Sequence, residues 1–216
     1  MFRTARLLTA AGTIAGLLGF LTCSAGMAQN ATTINANGAF GSVSTEFGFT
    51  FLSLDVTRGG TGANQTTLLF YFTQTPTSDC TATTTDGNGL IPNGDLVGGV
   101  GLSTDNRLTL NVDTSAVPGF SNETCIQDYC AQTSSCSGFS GGPITADWEN
   151  NHTFSSGNSG TVSQSFGNVT VSSQGSSNFS SASVQGDFMG NPFQEQIDGE
   201  FGVRHGAIVT VTRSGR

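Results

Sequence analysis

Between Phe49 and Arg58 the chain alternates, with Thr50, Leu52, Leu54 and Val56 on one side and Phe49, Phe51, Ser53 and Asp55 on the other. A repeat of two residues is the side-chain period of an extended strand. The run Thr66 to Thr75 repeats the pattern, with Leu68, Phe70 and Phe72 opposed to Leu69, Tyr71 and Thr73, and Gly59-Gly60-Thr61-Gly62 separates the two. This arrangement predicts a hairpin with a loose glycine turn. A second hairpin is expected from Leu96 to Leu102 and Arg107 to Asp113, about Asp105-Asn106. Further strands are expected at Ile144 to Glu149, at Val169-Thr170-Val171, at Ala182 to Phe188 and at Ala207 to Arg213. Glycine, serine, asparagine and threonine crowd the intervals, and only Asn122 to Gln132 offers any helical spacing of apolar residues. Ser155 to Ser183 is nearly low-complexity, yet Phe166, Val169, Val171 and Phe179 recur within it, so it reads as strands at a solvent-facing edge. The expected fold is all-β: roughly nine to eleven short strands in a single antiparallel β-sandwich, with a jelly roll as a variant.

The start of the chain reads differently. Arg3 and Arg6 precede an apolar run from Leu7 to Leu21, and small residues end it at Ala25-Gly26-Met27-Ala28. This is the pattern of a signal peptide covering residues 1–28, followed by one domain from 29 to 216. The run is interrupted by Gly12, Gly16 and Gly19 and is too short for a membrane anchor. The protein is therefore expected to be secreted, periplasmic or at the cell surface, with no membrane span in the mature chain. A small outer-membrane β-barrel is the alternative that alternating strands allow. Against it stand a single Trp, two Tyr and a C-terminus that lacks a terminal aromatic.

Charge narrows the function classes. The 216 residues carry 7 basic and 15 acidic side chains, a net charge of -8, and every basic residue is an arginine. Without lysine there is no Schiff-base chemistry, and without a basic stripe there is no footprint for nucleic acid. Removal of Cys23 with the signal leaves Cys80, Cys125, Cys130 and Cys136, an even set in an oxidising compartment, read as two disulfides. Three connectivities remain open, and each ties Cys80 to the cluster. The spacing lacks the paired-cysteine knuckle of a zinc site, and no cofactor or metal is expected.

Several motifs invite a catalytic reading. Cys136-Ser137-Gly138-Phe139-Ser140-Gly141-Gly142-Pro143 resembles the nucleophile segment of trypsin-like serine proteases, with Phe139 where those enzymes carry aspartate. The only histidines, His152 and His205, follow Ser140, whereas that family needs its histidine upstream. The same residues fit a nucleophile elbow with Asp198 and His205 downstream, but a Gly/Pro turn into antiparallel strands is the wrong context for it. Asp147 with Glu149, and Asp198 with Glu200, are carboxylates two apart on a strand, an arrangement found both in glycosidases and on any solvated strand face. Asp86-Gly87-Asn88-Gly89 begins like a calcium loop and fails at Leu90, so it reads as a turn.

No set of nucleophile, base and orienting group is complete. The expectation is a non-catalytic extracellular module that binds glycan or another polar surface, or that associates with itself. A secreted hydrolase of serine or paired-carboxylate type is the alternative. Trp148 and Tyr129 are the candidate ligand-binding aromatics.

Overall fold

A computed structural model describes residues 30–98, 107–150, 155–167 and 169–213. Residues 1–29, and with them the signal-peptide reading, lie outside the described residues, as does His152. Twelve strands make up the described chain: β1 (Asn30–Phe47), β2 (Thr50–Gly59), β3 (Thr66–Pro76), β4 (Thr81–Ile91), β5 (Leu96–Gly98), β6 (Arg107–Asp113), β7 (Ser121–Asp128), β8 (Thr133–Gly138), β9 (Pro143–Asn150), β10 (Ser155–Phe166), β11 (Val169–Phe188) and β12 (Asn191–Arg213). The all-β expectation holds. The segment Asn122 to Gln132 is not helical: its first part is β7, paired with β4 and β8, because Cys125 points into the fold while Ile126 stays exposed.

All pairings are antiparallel, in one open sheet of order β5-β6-β9-β11-β12-β1-β2-β3-β4-β7-β8, with β10 added to β11. The sheet doubles over itself, and the fold has two cores for that reason. Leu69 and Tyr71 of β3 join Leu52, Leu54, Leu108, Leu110, Ile144, Trp148 and Phe201 in the larger one. The alternate residues Leu68, Phe70 and Phe72 join Ile34, Ala36, Val169, Val209 and Val211 in the smaller one. β3 is thus buried on both faces, which is why its sequence is a near-continuous apolar run.

The crease lies in the three longest strands. β12 carries one extra residue relative to both neighbours, since Ala36 pairs Ala207 while Gly38 pairs Arg204, and Gln174 pairs Ile208 while Ser176 pairs His205. This bulge falls at His205-Gly206, and Gly206 has a φ of 58°, a conformation that glycine adopts without strain. Beyond it, the last part of β12, the first parts of β1 and β11, and β10 fold back over β3. Two arginines fasten the fold-back: Arg204 to Asp55 on β2 at 3.4 Å, and Arg213 to Asp86 on β4.

Expected segments were shorter than the strands found. Val169-Thr170-Val171 and Ala182 to Phe188 belong to one 20-residue strand, and Ala207 to Arg213 is the end of a 23-residue one. β11 is also internal, not an edge, since it pairs with β9, β10 and β12. The segment Asp86 to Gly89 is no turn but the middle of β4. Glycine is required at position 87 because the Tyr71 ring lies flat against it, leaving no room for a Cβ.

Candidate functional site

The cysteines pair as Cys80–Cys130 and Cys125–Cys136. Cys125 and Cys136 sit directly opposite each other on β7 and β8 with Cα atoms 4.0 Å apart. Cys80 and Cys130 join the turn after β3 to the turn after β7. Register between β4 and β7 brings the turn of Cys80 to that of Cys130, and register between β7 and β8 sets Cys125 against Cys136, information that four positions along a chain do not contain. Glu123 lies with its carboxylate within 4.8 Å of Sγ of Cys125 and Cys136, but both sulfurs belong to the disulfide and are not thiolate ligands.

The aromatic candidates divide. Trp148 is fully buried, and its Nε1 donates to the Ser42 carbonyl at 2.9 Å, so it holds the core and presents no stacking surface. The physical reason is alternation: Ile144, Ala146 and Trp148 face the large core together. Tyr129 is exposed, with its hydroxyl accepting from Gln74 Nε2 at 2.8 Å and its N–H donating to the Cys80 carbonyl at 2.7 Å. It stands at the stapled end of the sheet. The aromatic that the sequence reading passed over is Phe49, 90% exposed in the tight turn between β1 and β2. A phenylalanine so exposed at a turn residue was the available signal, hidden because Phe49 also fits the alternation of the following strand.

Ser140 is exposed in the connection between β8 and β9, where its carbonyl accepts from Asn122 Nδ2 at 3.5 Å. His205 is exposed in the β12 bulge, and no hydrogen bond joins it to Ser140. Asp147 is engaged by Arg107, whose Nε donates to Oδ1 at 2.6 Å, and by the Thr109 hydroxyl at 3.4 Å. Glu149 stands opposite Arg107 in register. The carboxylates two apart are therefore a salt-bridged strand face, and Asp147 is not poised as a free acid or base.

What these strands do build is a groove. Residues intervening between the core side chains of β6, β9, β11 and β12 face away from the large core, and register aligns Thr109, Asp147, Gln185 and Gln194 in one row across four strands. Asn111 and Thr145 pair in the next row. Glu46 and Phe47 at the end of β1, with Gly48 of the following turn, close one side, and the groove has a volume of about 720 Å³. Its lining mixes amide, hydroxyl and carboxylate groups with Phe47, Leu110, Ala146, Pro192 and Phe193. Such a lining supplies both donors and acceptors, and no basic side chain is among its described residues.

Comparison of the chain with protein-family models, with characterised proteins and with solved structures finds no match. The reading of the site rests on its own geometry.

Proposed function

We propose that this chain is an exported, non-catalytic binding module for a neutral, hydroxyl-rich ligand, a glycan chain, held in the groove across β6, β9, β11 and β12. The observation that supports this reading is the row Thr109, Asp147, Gln185 and Gln194 in a groove that Phe47 also lines. Sugar hydroxyls both donate and accept, and amide and carboxylate side chains answer them pairwise. Phe47, half-buried in the groove wall, supplies an apolar face for a sugar ring. A lining without a basic side chain gives no purchase to phosphate or nucleic acid. The pair of disulfides suits the oxidising compartment to which the signal sequence directs the chain.

The test is retention of the purified protein on insoluble xylan, mannan, β-glucan and chitin. Gln185→Ala with Gln194→Ala removes two side-chain amides at about 1 kcal/mol each, so binding to the retained polymer weakens by roughly tenfold or more while the melting temperature stays put. Retention on none of the four, or retention unaltered in the double variant, refutes the reading.

A further inference from the structure

A second cavity lies where the folded-back part of the sheet leaves the first. It encloses about 210 Å³, smaller than the roughly 300–1,000 Å³ of pockets for drug-sized ligands. Its floor comes from neighbouring strands in register: Asp55 of β2 and Glu200 of β12 both pair with Ser42 of β1. Ser53, only 7% exposed, opens its side chain to this space, and no side-chain hydrogen bond joins it to another described residue. Asp55 is oriented by Arg204 and by the Thr57 hydroxyl at 3.2 Å, and the Arg204 guanidinium rests 4.5 Å above the centre of the Phe40 ring. Phe70, Phe166 and Val171 wall off the far end.

The cavity and the groove share one strand face. Ser42 and Ser44 line the cavity, and Glu46, next on the same face of β1, lines the groove. Four residues of strand separate Ser42 from Glu46 by about 13 Å, a distance that a short oligosaccharide spans. The groove is open along its length, whereas an apolar wall stops any chain from passing through the cavity.

We infer that this cavity is the blind end of the binding groove and takes the terminal ring of the glycan, with Asp55, Ser53 and Glu200 accepting its hydroxyls and Phe70 and Phe166 covering its apolar face. The inference rests on the glycan reading above and adds that the protein recognises chain ends. Partial desolvation, with the Asp55 charge nearby, raises the Glu200 carboxyl above its ordinary value against the pull of Arg204, which suits a group that meets a neutral ligand.

The experiment is competition against the retained polysaccharide with xylan, mannan and β-glucan, each intact and each partially acid-hydrolysed, at equal mass. Shortening multiplies chain ends without changing composition, so the hydrolysed probe competes several-fold better. Ser53→Leu, which fills the cavity, abolishes that gain, so that intact and hydrolysed probes compete equally against the variant. Gln164→Ala, on the exposed β10 wall, serves as the milder variant should Ser53→Leu fail to fold. Equal competition by intact and shortened probe overturns the chain-end inference while leaving the groove reading standing. Retention of no polysaccharide removes both. Release of new reducing ends from the probe during incubation also overturns it, since Asp55 and Glu200 would then be hydrolytic groups.

Discussion

The fold-back of the sheet depends on Arg213 and Asp86, and their energetics are accessible to a double-mutant cycle. Asp86 is 2% exposed and Arg213 is 15% exposed, at opposite ends of the pairing path between β4 and β12. The guanidinium also donates to Ser121 Oγ at 2.6 Å, and its Nε is buried without a partner. Replacing Asp86 by Asn keeps the shape and an acceptor while removing the charge, so the buried guanidinium loses its counter-ion. Replacing Arg213 by Met removes the counter-ion of the more deeply buried carboxylate. Breaking a buried pair from one side costs about 3–5 kcal/mol, with Asp86→Asn at the lower end. For a domain whose total stability is of order 5–15 kcal/mol, either loss is a large fraction. The double variant should be less destabilised than the sum, with a coupling of about 2 kcal/mol. Urea unfolding followed by intrinsic fluorescence measures all four corners, and an unchanged m-value keeps the comparison valid. Single variants within about 0.5 kcal/mol of the parent, or strictly additive effects, would show that the ion pair does not hold the layers together.

Three further outcomes follow from the same structure. Thiol titration of the unfolded, unreduced protein finds no free thiol among Cys80, Cys125, Cys130 and Cys136; opening Cys80–Cys130, with a sequence separation of 50, by paired serine substitution lowers stability by about 4 kcal/mol in the chain-entropy account and Tm by about 8–16 °C. Trp148, the single tryptophan, emits at short wavelength in the folded protein and resists iodide quenching, and Trp148→Phe costs about 1–3 kcal/mol through the orphaned Ser42 carbonyl; red-shifted, quenchable emission would contradict its burial. Because burial raises the folded-state value for Glu200 above the unfolded one, this group binds more protons when folded, favours folding at low pH, and loses that contribution as pH rises through the raised value. Glu200→Gln therefore stabilises at neutral pH, and the gain disappears below the carboxylate range. A pH-independent effect in chemical denaturation would refute the assignment.

Much of the fold was legible locally. Alternation at Phe49 to Arg58 and Thr66 to Thr75 predicted β2 and β3, and Leu96 was correctly matched to the strand at Arg107 to Asp113, because a half-buried strand writes its two faces into every second residue. β1 went unread, and β11 and β12 were read only as fragments. One face of each sends residues such as Val43, Val184, Phe201 and Val209 into the cores. The other face is rich in serine, glycine and asparagine, and register shifts break the alternation, so no long apolar period accumulates. Trp148 could be assigned to the face of Ile144 and Ala146, but alternation does not say which face is inside. Had the other face been buried, Asp147 and Glu149 would have been the interior residues.

By itself, then, the sequence determined the local state of the chain: extended backbone, four cysteines beyond residue 28, and a net acidic charge with arginine as its only basic residue besides histidine. Those follow from neighbours in the chain, through side-chain period, thiol chemistry and charge. Only the tertiary structure decided that Cys80 pairs Cys130, that one bulge at His205-Gly206 doubles the sheet, and that Asp55 and Glu200, 145 positions apart, flank the same serine. Register between distant strands sets each of these, and register is fixed by the burial of whole faces against one another, a property that no short stretch of sequence carries.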